Sequence, residues 1–372
     1  MAEKMVVTPW EVSGKIDYDQ LIKGFGMKPF ARFAKILPDN VLFRRGIVYG
    51  HRDFERIADA IKKKKEFVMM TGLMPTGKFH LGHKILADQI IYYQSHGAKV
   101  YVAVADIEAY NTRLGSMKEL KKTAIEEYLL NYIALGLKPK NCDFYFQSNR
   151  SSNAKKANAY YKLAGMAARH ITFNEMKAIY GAINPGRITS ALFQASDMFH
   201  PELPEFGGPK PVVVPVGFDQ DPHLRLARDI GNRIKEFKFI QLSSTYHKFV
   251  VGLKGGKMSS SDPTSFIALT DSPEEAAKKI RKHAFSGGQE TVEMHRKKGG
   301  NPDIDVSYQW LYAFFEPNDK KIKNIHDDYK SGALLTGELK EYLIKKVTAF
   351  LKEHQKKREK ARNMVDKFLV KD

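Results

Sequence analysis

Residues 67 to 95 narrow the possible folds of this chain more than any other stretch. An apolar run, Phe67-Val68-Met69-Met70, meets a turn rich in glycine and proline, Thr71-Gly72-Leu73-Met74-Pro75-Thr76-Gly77-Lys78-Phe79. His80-Leu81-Gly82-His83 then opens a segment of helical periodicity that runs to residue 95. The pattern predicts strand, turn and helix. Such a turn presents free backbone N–H groups and a helix N-terminus, a geometry that favours phosphate. His80 and His83 lie on one side of the first helical turn, where both can donate to phosphoryl oxygens. Gly82 has no Cβ, so the backbone there can approach a flat base. A nucleotide fits such a notch.

From residue 67 onward the pattern alternates. Strands are predicted at 67–71, 100–105, 144–146, 211–216 and 239–242, separated by helices at 81–95, 117–135, 188–199 and 222–231. This alternation implies a doubly wound parallel sheet of the Rossmann type, with ligands at the carboxyl ends of the strands near the topological switch point. The rhythm breaks between 151 and 180, where helical segments read as an insertion. Beyond Pro263 strand signals stop, and helices are predicted at 273–283, 307–315, 319–331 and from 336 onward. The expected organisation is an N-terminal extension at 1–60, a catalytic α/β domain at 61–265 and an α-helical domain at 266–372. Within the extension, residues 6 to 16 suggest a short β-hairpin.

Charge adds a partner. The chain carries 61 Lys and Arg against 42 Asp and Glu, a net +19, and the excess is heaviest toward the C-terminus. A polyanion is implied; a merely thermophile-like surface would lie nearer balance. The single cysteine, Cys142, excludes a disulfide framework and a cysteine-based metal site, and reads as a core residue in a reducing cytoplasm. No apolar run reaches membrane-spanning length and the start lacks a signal-peptide pattern, so a cytoplasmic location without membrane contact is expected.

An H-x-G-H taken alone recurs by chance. Far downstream, however, lies Gly255-Gly256-Lys257-Met258-Ser259-Ser260-Ser261-Asp262-Pro263, a glycine-flexed loop with one cation and three hydroxyls. In this order and separation the two stretches resemble the HIGH and KMSKS signatures of class I aminoacyl-tRNA synthetases. Further segments are similar to tryptophanyl-tRNA synthetases of the archaeal and eukaryotic branch. They are Thr8-Pro9-Trp10, Ile16-Asp17-Tyr18-Asp19, Arg44-Arg45-Gly46, His51-Arg52-Asp53, Phe218-Asp219-Gln220-Asp221-Pro222, His283-Ala284-Phe285-Ser286-Gly287-Gly288 and the run from Ser331 to Lys340. The likeness runs nearly end to end.

The resemblance implies a tryptophan–tRNA ligase with ATP as substrate and Mg2+ beside it, acting on L-tryptophan and tRNA(Trp). It also implies a homodimer formed through the insertion and an anticodon-binding role for the basic C-terminal helices; no resident metal site is expected. His80, His83 and Lys257 are the expected catalytic residues. Gly72, Thr76, Gly82, Gly217, Asp219, Met258, Ser259 and Ser261 join them around ATP, Asp219 accepting from the ribose hydroxyls or, alternatively, capping the following helix. Ser260 stands where the wider signature has a second lysine, which leaves Lys254 as a candidate cation. Glu108, Gln194 and Gln220 would receive the substrate α-ammonium. At the indole end Met70 and Ala103 replace the eukaryotic tyrosine and glutamine, so a different N–H acceptor is required; Asp197, on the helix face of Gln194, is the candidate. The same Gln-x-x-Asp pair also resembles tyrosyl-tRNA synthetases, although those have a tyrosine in place of Met70. A non-catalytic tRNA-binding paralogue and a small adenylyltransferase are further alternatives. Intact His80, His83, Lys257 and Gln220 oppose the first, and the Lys257 loop opposes the second.

Overall fold

The structure, a computed structural model, describes residues 6–7, 12–13, 17–112, 115–256, 258 and 262–369. Val6–Val7 (β1) and Val12–Ser13 (β2) form the expected antiparallel hairpin. Seven further strands make one sheet: β3 (Lys28–Pro29), β4 (Val48–Arg52), β5 (Val68–Leu73), β6 (Lys99–Val104), β7 (Cys142–Phe146), β8 (Val212–Gly217) and β9 (Ser243–His247), in the order β3-β4-β9-β8-β5-β6-β7. The five strands from β5 to β9 are parallel, and the near-continuous apolar runs of β5, β6 and β8 suit strands covered on both faces. Strand order reverses between β5 and β8, so the turn that follows β5 leaves the sheet at its switch point. Cys142 is buried at the start of β7.

Two features depart from the sequence reading. Residues 28–52 supply β3 and β4, which extend the sheet antiparallel beyond β9; these strands are too short and irregular to show alternation. The strand expected at 239–242 is absent, and β9 lies just beyond it. Its side chains are polar yet buried because each finds a partner. Ser243 Oγ donates to the Asp53 carbonyl at 2.6 Å, Ser244 Oγ to the Tyr246 hydroxyl at 3.0 Å, and Gln89 Nε2 lies 3.1 Å from His247 Nδ1. Hydrogen bonding inside a sheet leaves no hydrophobic signature.

By internal contact the residues divide into two compact units: Met1–Thr76 with Leu86–Lys248 and Ala361–Asp372, and Gly77–Ile85 with Phe249–Lys360. In the first, Met70, Tyr101, Ala103 and Tyr145 of the sheet form one buried cluster with Tyr160, Leu163, Ala191, Ala195, Phe199 and Ile230 of the helices Ala154–Ala167, Pro185–Phe199 and Asp221–Arg233. The insertion between β7 and β8 is helical as expected, Ala154–Ala167 followed by Phe173–Tyr180, the latter opened by a Thr172/Glu175 capping box. The second unit is helical after residue 272: Pro273–His283, Val292–Lys298, Val306–Trp310 continuing to Phe315, Asp319–Ser331 and Thr336–Ala361. No helix among the described residues is long and apolar enough to cross a membrane.

Glu202 gives the first unit a pH dependence. Its Oε2 accepts the Ile240 N–H at 2.6 Å, while its buried Oε1 has no hydrogen-bond partner. Burial pushes its carboxyl up to about 8, against smaller opposing effects of the Ile240 bond and Arg56. The folded chain thus holds this proton more tightly than the unfolded chain. The contribution is greatest below the ordinary carboxyl range and is lost as pH rises toward 8. Glu202→Gln should therefore raise the thermal midpoint at pH 8–9, by an amount corresponding to about 1–3 kcal/mol, and flatten its fall between pH 5 and 8. An unchanged midpoint and slope across that range would refute the assignment.

Candidate active site

In the second unit the histidine turn is held by backbone pairing. His80 bridges Ala268 in antiparallel fashion, Leu81 N–H donates to the Ile267 carbonyl at 3.2 Å and Leu269 N–H to the Phe79 carbonyl at 2.9 Å. Residues 267–269 directly follow the lysine loop, so two signatures distant in sequence are joined in one body. The histidines bond to the turn itself. His80 N–H donates to His83 Nδ1 and Gly82 N–H to His80 Nδ1, each at 3.1 Å. With both Nδ1 atoms accepting, the proton of each neutral ring sits on Nε2. Burial, with the neighbouring His83, lowers His80 to about 2, and burial lowers His83 to about 4. Both act as neutral N–H donors near pH 7 rather than as cations. A Cβ on Gly82 would lie 2.9 Å from His80 Cε1 and 3.2 Å from Met258 Sδ; the glycine is required by packing as well as by any base above it.

Lys257, Ser259, Ser260 and Ser261 lie outside the described residues, but the base of their loop is defined. Gly252 N–H donates to the Gly256 carbonyl at 2.6 Å and Leu253 N–H to the Ser265 carbonyl at 2.8 Å. Lys254 Nζ reaches Asp262 Oδ2 at 2.9 Å across the loop. That bond, with those from Thr264, brings the Asp262 carboxyl down to about 2. Lys254 is thus a staple of the loop base in this structure. The His283–Gly288 segment secures the same base, Phe285 N–H donating to the Leu253 carbonyl at 2.7 Å and Val306 N–H to the Phe285 carbonyl at 3.1 Å.

The remaining candidates lie in the first unit. Register places Gly72 beside Ala103 and Ala103 beside Tyr145 across β5, β6 and β7, with Met70 beside Tyr101 one row below. Gly72 is exposed between buried Thr71 and Leu73, and a Cβ there would meet nothing nearer than the Ala103 carbonyl at 4.0 Å. Small residues thus open space over the sheet at its carboxyl edge. Beyond β6, the helix Asp106–Thr112 carries Glu108, whose Oε2 accepts from Gln194 Nε2 at 3.0 Å. After β8, which ends at Gly217, Gln220 Nε2 donates to Asp219 Oδ2 at 3.3 Å. Gln220 occupies the N-cap position of the next helix, and its own side chain makes no cap bond. Thr76 accepts the Tyr128 hydroxyl through its carbonyl at 2.7 Å.

Asp197, one turn beyond Gln194, is buried and already bonded. Its Oδ1 accepts the hydroxyls of Tyr145 and Tyr160, each at 2.7 Å, and its Oδ2 accepts Gln147 Nε2 at 2.8 Å. Burial raises the carboxyl to about 6, opposed by those bonds. Behind it Arg150 donates through Nε to His200 Nε2 at 3.0 Å, pairs with Asp143 at 2.9 Å and stacks 4.0 Å from the Tyr145 ring centroid. Tyr145, Gln147 and Tyr160 were not anticipated; the alternation Phe144-Tyr145-Phe146-Gln147 was the available signal, since it sets Tyr145 and Gln147 on one face.

A family profile described as class I tRNA synthetases for W and Y matches residues 62–352. The chain belongs to the tryptophan–tRNA ligase family. It is 44% identical to the tryptophan–tRNA ligase of Methanocaldococcus jannaschii, over 98% of each chain. Among solved structures it is similar to the tryptophanyl-tRNA synthetase of Aeropyrum pernix, with a TM-score of 0.89 and 43% identity over 95% of this chain and 96% of that one. It also resembles the enzyme of Encephalitozoon cuniculi bound to tryptophan, with a TM-score of 0.82 and 27% identity over 96% of this chain and 98% of that one.

Neutral rings at both positions leave the turn without a titrating switch near pH 7. Nitrogen-15 NMR of histidine-labelled protein should show His80 and His83 as Nε2–H tautomers from pH 8 down to pH 5; a titration of either ring above pH 5 would contradict the geometry. Gly82→Ala should lower ATP–pyrophosphate exchange by about 100-fold by displacing the His80 ring, and wild-type rates in that variant would show that the ring adapts.

Proposed function

We infer that the protein condenses L-tryptophan with ATP to tryptophanyl-adenylate and pyrophosphate, then transfers the tryptophanyl group to the 3′ end of tRNA(Trp). The substrate carboxylate attacks the α-phosphorus and pyrophosphate leaves. No protein nucleophile is needed, so the chain's task is placement and charge stabilisation. His80 and His83 donate N–H groups to the phosphates, and Lys257 brings the positive charge on its glycine-flanked loop. Asp219 takes the ribose hydroxyls. Glu108, Gln194 and Gln220 take the α-ammonium, and Met70 walls the indole with Asp197 at its end. Mg2+ enters with the ATP phosphates as part of the substrate; among the described residues no cluster of three or more His, Cys, Asp or Glu is placed to hold a metal ion.

The choice of tryptophan over tyrosine rests on Asp197. Its Oδ1 already accepts two phenols, those of Tyr145 and Tyr160, so a substrate phenol would have to displace one of them. Met70 offers no hydroxyl to share a phenolic proton and suits the face of an indole. The basic helix Thr336–Ala361, with Lys345, Lys346, Lys352, Lys356, Lys357 and Lys360, is the surface for the anticodon stem. A homodimer through the helical insertion is supported by Phe173, which is 73% exposed at the first turn of its second helix. The single cysteine fits a cytoplasmic location.

The direct test is ATP–pyrophosphate exchange with each of the twenty amino acids. Tryptophan alone should support it; exchange with tyrosine would overturn the pocket assignment, and none at all would favour a non-catalytic tRNA-binding role. Lys257→Ala should cut adenylate formation by about 100- to 1,000-fold with tRNA binding retained. Surviving activation would remove Lys257 from the reaction.

A further inference from the structure

We propose that Gln147 determines specificity at the indole end, its side-chain Oε1 accepting the indole N–H of the substrate while Asp197 holds the amide in place. The inference rests on the tryptophan reading above and deepens it.

Gln147 is fully buried, and its Oε1 has no hydrogen-bond partner. Buried acceptors are almost always satisfied, so an orphan beside a substrate site calls for a donor from outside the chain. The amide cannot turn to relieve it. An ionised carboxylate only accepts, so Asp197 Oδ2, 2.8 Å away, requires Nε2 on its side and directs Oε1 elsewhere. The backbone of Gln147 is held too, its carbonyl accepting the Tyr161 hydroxyl at 3.0 Å and its N–H donating to the Val104 carbonyl at 3.0 Å.

Position agrees with chemistry. Gln147 follows Tyr145 by two residues, one position past the end of β7 and held to β6 through Val104, and Tyr145 adjoins Ala103 and the open row at Gly72. An indole ring has two apolar faces and a single N–H donor with no acceptor. Met70 and Ala103 supply apolar contact, and one fixed carbonyl oxygen supplies the acceptor. Asp197 already takes three donors, which makes it a positioning residue that sets the direction of the amide.

The test compares tryptophan with benzothienylalanine, in which sulfur replaces the indole N–H, by kcat/KM for pyrophosphate exchange. The ratio of the two values on one preparation is independent of the fraction of active protein. The wild type should prefer tryptophan by about 10- to 100-fold. Gln147→Met, similar in shape but without the carbonyl, should bring the ratio close to one, through KM for tryptophan. Gln147→Glu, sharing a proton with Asp197 and keeping an acceptor oxygen, should retain most of the preference. An undiminished ratio in Gln147→Met would overturn the proposal and return the N–H to Asp197. If Gln147→Met does not fold, loss of the preference in Gln147→Glu would overturn it equally. No exchange with tryptophan in the wild type would instead sink the functional reading beneath it.

Discussion

The backbone pairing of Phe79, His80 and Leu81 with Ile267, Ala268 and Leu269 is the constraint on which the proposed phosphate chemistry depends. It ties the histidine turn to the segment that leaves the lysine loop, so the two histidines and the base of that loop belong to one compact unit. The family-specific His283–Gly288 segment reinforces the arrangement by bonding the other side of that loop base to the start of the helix Val306–Trp310. Main-chain bonds suit this task, because they are indifferent to side-chain identity.

Electrostatics in the turn follow from burial. Two protonated imidazoles whose ring centroids lie 3.9 Å apart would repel, and desolvation removes that possibility by keeping both neutral. Each ring then offers one N–H, and the backbone decides which nitrogen carries it. At the base of the lysine loop the cation Lys254 is committed to Asp262, so the proposed reaction takes its positive charge from Lys257.

The amino-acid end uses the opposite strategy, a buried polar network in which nearly every group is paired. Asp197 gathers Tyr145, Tyr160 and Gln147; Arg150 gathers Asp143 and His200. Such networks are rigid when satisfied. One unsatisfied oxygen in a rigid network is a specific recognition point, because any ligand lacking the matching donor leaves it desolvated and unpaired.

The βα alternation, the switch-point turn, the helical insertion and the all-helical C-terminal region were legible in the chain because each rests on a local period of apolar residues. So were the Gln-x-x-Asp spacing and the glycine-flexed lysine loop, which are short-range patterns. Strand β9 was not, since polar side chains satisfied by Gln89, Asp53 and Tyr246 carry no hydrophobic period. Nor were the edge strands β3 and β4, whose pairing is decided by where the sheet already ends. The roles of the polar residues were decided only in three dimensions. Family resemblance, with the spacing from Gln194, suggested Asp197 for the indole end, but Tyr145, Gln147 and Tyr160 converge on its carboxylate from a strand, the turn after it and a separate helix. A hydrogen bond between residues far apart in sequence leaves no trace in either neighbourhood. Local order in the chain thus determined which elements form and suggested where nucleotide chemistry would lie. Tertiary packing decided which polar atoms are spent within the protein and which remain for a ligand.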